Sequence, residues 1–160
     1  MGINWTAFLA RLRAYPSHYH SILPPCADDR ISAVEKELGP IPPTVREMLK
    51  QFNGAQLFES GLPFVHLFGL SPIPALPPME WAPDFWIDKF TPKWRGTGPN
   101  RESDWAIAMT NYGGLILLDA DGKIKQWDTS QGCWDSKGIA FADWIEQIIE
   151  EGEEVMEDVG

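Results

Sequence analysis

Two histidines and a cysteine fall close together in SHYHSILPPC at 17 to 26, and His18, His20 and Cys26 are residue types that can ligate a metal. No fourth ligand stands at a recognisable spacing, so the alternative reading is a surface loop. Asp119-Ala-Asp121-Gly122 matches the opening of a calcium-binding EF-hand loop. Lys123, however, takes the next ligand position, and the glycine and terminal glutamate that such a loop needs are missing. That segment reads as a turn. Cys133 sits in a Gly-Cys-Trp turn with no base at a readable spacing, and no Gly-x-Ser-x-Gly elbow, phosphate-binding loop or dinucleotide fingerprint occurs. Asp84 with Asp88, or Asp119 with Asp121, could serve as paired carboxylates for glycoside hydrolysis, but such pairs are unavoidable in an acidic chain. The reading is a protein without a catalytic residue, cofactor or metal.

Tryptophan is the unusual residue, with eight in 160 positions. Trp5 and Trp144 fit the apolar stripes of helices, and Trp105 and Trp127 lie on strands, where packing accounts for them. Trp81, Trp86, Trp94 and Trp134 fall in loop-like segments beside Glu80, Asp84, Asp88 and Asp135. Aromatic anchors ringed by charge are how protein interfaces concentrate binding energy, although the same rings could instead cover the sheet as a lid. A partner surface is expected on a sheet face and arm carrying Glu80, Trp81, Asp84, Trp86, Asp88 and Asp104.

The elements that must hold these residues follow from periodicity. Trp5, Phe8, Leu9 and Leu12 predict an amphipathic helix capped by Asn4, ending before Pro16 and packing on the core. Ile31, Val34, Glu35 and Leu38 share one side of a second helix, which Asp28 or Asp29 can cap and Gly39-Pro40 stops. Pro43 suits the first turn of a third, and Val45, Met48, Leu49 and Phe52 recur at helical spacing until Asn53-Gly54. This is a stiff two-helix corner. A first strand is expected at 64 to 70 with a structural histidine, His66, inside it. A proline-rich irregular arm follows from 71 to 100, with one short helix in 80 to 90. Strands at 105 to 110, 114 to 119 and 123 to 128 are separated by Asn-Tyr-Gly-Gly and Asp-Ala-Asp-Gly hairpin signals. A last amphipathic helix begins near Ala140 and ends among acidic residues. Carboxylates there oppose the helix dipole, so the tail either frays or awaits a cationic partner.

This order of elements resembles the SUKH superfamily, which contains a fungal cell-wall-synthesis regulator and many bacterial toxin-immunity proteins. The resemblance is carried by Ile31, Val34, Glu35, Leu38, Gly39, Pro42, Leu49, Asn53 and Gly54 in the corner. Beyond the corner it rests on Phe68-Gly69, Ile107-Ala108, Gly113-Gly114, Leu117 to Asp119 and Gly122. It spans about 28 to 151 and implies a single α+β domain: an antiparallel twisted sheet flanked by the N-terminal helical corner and the C-terminal amphipathic helix. It also implies that the corner props one face of the sheet and leaves the other to bind. The expected division is an N-terminal helix and linker over 1–27, the SUKH-like domain over 28–151 and an acidic tail over 152–160. Gly39, Pro42, Asn53, Gly54, Gly113, Gly114 and Gly122 are expected to act through the fold.

Thirteen Lys and Arg against 23 Asp and Glu give a net charge of −10, which repels nucleic-acid backbones and anionic membranes and favours a basic partner. The two cysteines lie too far apart for a zinc or redox motif and are expected as free thiols in the cytoplasm. Arg11 and Arg13 interrupt the only stretch that could serve as a secretory signal. The leading expectation is an immunity protein that binds and occludes a basic toxin domain. An intracellular regulatory scaffold and a carbohydrate-binding module are the alternatives.

Overall fold

The computed structural model describes residues 3–15, 20–58, 65–71, 86–97, 100–110, 114–128 and 131–159, with the backbone alone given for 135–137 and 155–159. Five helices are described: α1 Trp5–Arg13, α2 Asp28–Leu38, α3 Pro43–Gln51, α4 Ile87–Trp94 and α5 Phe141–Val159. Seven strands are described: β1 Ser21–Ile22, β2 Ala55–Leu57, β3 Val65–Leu67, β4 Trp105–Thr110, β5 Leu115–Leu118, β6 Lys123–Asp128 and β7 Cys133–Ala140. They form one sheet in chain order, every neighbouring pair antiparallel. The expected α+β class and antiparallel sheet are present.

In α1, Asn4 caps the helix by accepting from the Ala7 amide, and Trp5, Phe8, Leu9 and Leu12 are buried. Trp5 donates its indole N–H to the Thr44 carbonyl at 2.8 Å and packs edge-on to Phe52, tying α1 to α3. The cap of α2 differs from expectation: Ala27 holds that position, and Asp28 and Asp29 fall in the first turn, where their charge still complements the dipole. Gly39 ends α2 at φ +99, and Pro43 opens α3. Glu35, the single charge on the apolar side of α2, braces the corner. Its two oxygens accept from the Ile41 amide at 3.1 Å and from Arg46 Nε at 3.3 Å.

The corner is clasped to the sheet by Asn53. Its side-chain oxygen accepts from the Leu70 amide at 2.7 Å and its amide group donates to the Leu70 carbonyl at 2.9 Å. Backbones touch here. Gly54 takes φ +86, and a Cβ on it would lie 2.6 Å from the Leu67 carbonyl oxygen; a Cβ on Gly69 would collide with the Asn53 carbonyl.

Three strands depart from expectation. β1 lies in the stretch read as linker and β2 follows Gly54 directly, so two strands precede the one expected first. β7 begins at Cys133, where a turn was expected; between Ser136 and Ala140 it holds more residues than the facing part of β6, and Gly138 there takes φ +66. The short helix of the arm also sits later than expected, at Ile87–Trp94, and contains Pro92. β4 and β5 are buried on both faces. Leu115, Leu117, Lys125 and Trp127 point to the side covered by α4, and Ile116, Leu118 and Ile124 to the other. α5 is continuous across residue 152, where Gly152 is pressed against the Phe58 ring. Glu153 accepts from Tyr15 Oη and pairs with Arg11, which also reaches Glu146. Part of the terminal acidity is therefore used within the chain, against α1.

Replacing Gly54 by Ala should lower stability by about 2–3 kcal/mol, from the left-handed strain and the backbone approach together. Asn53→Ala should cost about 1–3 kcal/mol by leaving both Leu70 groups unpaired. Urea unfolding of the two variants checks both values, and a parent-like midpoint for either would show that the clasp is not structural.

Candidate partner interface

The residues expected at the partner surface do not share one environment. Glu80, Trp81 and Asp84 lie outside the described residues, as does Gly113. Trp86 is half-buried at the N-cap of α4. Asp88 and Asp104 face inward, contrary to expectation. The Asp88 side chain is 8% exposed and accepts from the Ser71 amide and hydroxyl and from Arg30 Nη2 at 2.8 Å. The Asp104 side chain is 2% exposed; one oxygen accepts from the Arg101 amide at 2.8 Å and from Lys125 Nζ at 2.7 Å. A carboxylate taken out of water must be paired and hydrogen-bonded; Asp88 meets this with both oxygens and Asp104 with Oδ2, while its buried Oδ1 has no hydrogen-bond partner among the described residues. They hold α2, α4 and β6 in place and present no charge to a partner.

The aromatic half of the expectation fares differently. α4 lies over β4, where Thr91 Oγ1 accepts from the Ala106 amide at 2.9 Å, and the helix ends on Trp94. Trp127 and Trp134 are directly opposite each other across β6 and β7, so both project to the α4 side. Trp94 meets Trp134 edge-on at 5.6 Å and Trp127 tilted at 6.4 Å, and Trp127 meets Trp134 at 5.3 Å. All three rings are half-buried. Lys125, two residues from Trp127 on the same face, brings its pair with Asp104 beside the cluster. Further along the face, His66 stands opposite Met109 and contacts Phe68, which in turn meets Phe90. Burial drives the His66 imidazole down to about 4, so it is neutral at physiological pH.

Trp127 was read as a packing residue, and the grouping of the three rings was not foreseen. The signal that could have found it is the spacing of Trp127 and Trp134 about the Asp-Thr-Ser-Gln-Gly stretch, which is that of a cross-strand pair in a hairpin. Cys26 is half-buried, burial pushes its thiol above the ordinary value, and Cys133 is an exposed free thiol. Among the described residues, no group of three or more His, Cys, Asp or Glu could hold a metal ion, and no helix is long and apolar enough to cross a membrane.

Residues 25–147 match the sequence model of the SMI1/KNR4 family, SUKH-1. The chain belongs to this family. No curated protein matches it. The matched region contains the corner, the whole sheet from β2 to β7, α4 and the tryptophan cluster, and stops within α5. All of α1 and the distal turns of α5 lie outside the matched residues, and Arg11 of α1 joins α5 through Glu146 and Glu153.

Asp104→Ala should destabilise this SUKH-1 chain by about 3 kcal/mol, because it removes a carboxylate from a buried ion pair and the acceptor of the Arg101 amide. Denaturant unfolding measures this, and a loss under about 1 kcal/mol would contradict the buried pair. His66 sets a pH dependence of definite sign. Its folded value lies below the unfolded one of about 6.5, so the unfolded chain binds the extra proton between about pH 6.5 and 4. Stability should fall as pH drops through that window, by up to about 3 kcal/mol, and His66→Gln should remove that part of the slope. Unfolding of parent and variant at pH 7, 5.5 and 4 isolates the difference, since the carboxylates are common to both; parallel curves would refute it.

Proposed function

We propose that this SUKH-1 chain is a non-catalytic, protein-binding immunity protein of the cytoplasm that neutralises a basic toxin domain by covering its active site. The observation that carries the reading is the half-buried cluster of Trp94, Trp127 and Trp134 on one sheet face of a chain with net charge −10. Large aromatic rings held rigid by one another lose little conformational freedom on binding and bury much area, as interface hot spots do. Net acidity supplies steering toward a toxin that is basic where it meets phosphate. Carbohydrate recognition fits less well: Trp134 is turned 76° from Trp94 and 68° from Trp127, so the three rings form no flat platform for a sugar.

A basic toxin domain encoded beside this gene is the partner to test. Its on-rate should fall as the Debye length shortens from about 30 Å at 0.01 M salt to about 8 Å at 0.15 M. Trp127→Ala and Trp134→Ala should chiefly raise the off-rate, at a cost on the order of 2 kcal/mol each, with melting curves confirming that the variants fold. Saturating immunity protein should abolish the toxin's activity, whereas a regulatory scaffold would bind and leave it running. A salt-indifferent on-rate, or tryptophan variants that bind like the parent, would overturn the proposal.

A further inference from the structure

The corner borders an open groove of about 820 Å³, enclosed by Leu38 to Thr44, the chain leading into β4, the β5–β6 turn and the start of α5. Ile41, Trp105, Leu118 and Phe141 give it an apolar lining, and Pro40, Pro42 and Pro43 form a stiff wall. Two of the four stretches that meet there carry carboxylates, and the only cation lining it among the described residues, Arg95, is already engaged. Arg95 stacks on the Trp105 ring at 4.5 Å and donates to the Leu38 and Asp104 carbonyls at 2.8 and 2.9 Å. Three carboxylates line the groove. Asp119 is used by the turn, where it accepts from the Asp121 and Lys123 amides. The side chains of Glu102 and Asp121 are exposed and make no hydrogen bond or ion pair among the described residues.

From this we infer that the groove is a docking site for an extended segment of a partner protein in which apolar side chains alternate with lysine or arginine. The apolar lining would take the hydrophobic side chains, and Glu102 and Asp121 would meet the cations; Arg95, whose charge acts on Glu102, makes no ion pair with it and spends its hydrogen bonds on the Leu38 and Asp104 carbonyls. A wall of prolines suits this because it surrenders little freedom when the segment binds. The inference rests on the protein-binding reading of the chain but not on the tryptophan face, which lies on the α4 side of the sheet. A second copy of this chain is a poor occupant, since the like charges of two acidic chains oppose it.

The probe is an acetylated, amidated hexapeptide alternating leucine and lysine, titrated into the full-length chain and followed by amide NMR shifts, with a leucine–glutamate hexapeptide as control. The lysine peptide should move the amides of Gly39, Ile41, Ser103, Gly122 and Ala142, and the control should not. The double variant Glu102→Gln with Asp121→Asn, at two exposed positions that leave the fold intact, should weaken binding by about fivefold. Trp127→Ala should leave the peptide affinity unchanged, so a failure of the toxin reading and a failure of the groove are separately visible. Absent shifts in the groove, equal shifts with the glutamate peptide, or unweakened binding by the double variant would each overturn the proposal. Groove shifts that depend on protein concentration without peptide would replace the partner segment by a second copy.

Discussion

The joint at Asn53 is the contact on which the remaining elements depend. One side chain satisfies both backbone groups of Leu70 while Gly54 and Gly69 bring the two chains to van der Waals limits, so the end of α3 and the exit from β3 are held as one body. The start of α4 is fixed in turn. Gly69 accepts from the Ile87 amide at the first residue of that helix, and the Ser71 amide and hydroxyl donate to Asp88, which pairs with Arg30 back on α2. A continuous set of hydrogen bonds thus runs from the corner through the sheet to the helix that covers its far face. Removing the Asn53 side chain would leave both Leu70 backbone groups without their partner, at a cost above what one satisfied hydrogen bond contributes, which makes the joint cooperative.

The two buried ion pairs extend the same logic across the α4 face. Arg30–Asp88 fixes the start of α4, and Lys125–Asp104 fixes the chain that leads from it into β4. Such pairs add little net stability over a well-packed apolar contact, but they penalise any arrangement that separates the partners. Placed at either end of α4, they set where Trp94 comes to rest against Trp127 and Trp134. The aromatic cluster is thus held by one ion pair at the start of α4 and by a second beside the rings themselves.

Helical periodicity made the corner, α1 and the start of α5 readable, because each buries a stripe of apolar residues at regular spacing. The hairpins from β4 to β6 were readable for the complementary reason: alternating or continuous apolar runs separated by glycine turns. β1, at two residues, and β2, at three, are too short to establish any period, and they exist because β3 offers them an edge. β7 is rich in polar residues and interrupted at Gly138, so its pattern resembles a loop. Asp88 and Asp104 looked like surface charge because Arg30 and Lys125, which neutralise them, stand 58 and 21 positions away in sequence. Trp94 was hidden by Pro92, a residue that ordinarily argues against a helix around it.

The irregular outer strands bear on how crowded the protein can become. A sheet invites polymerisation where its rim offers a long, straight row of unpaired amides and carbonyls. Among the described residues one rim is β1, only two residues long, and the other is β7, kinked near Gly138 by its surplus residues. Neither of these rims offers the long, straight edge on which strands recruit copies of themselves as concentration rises.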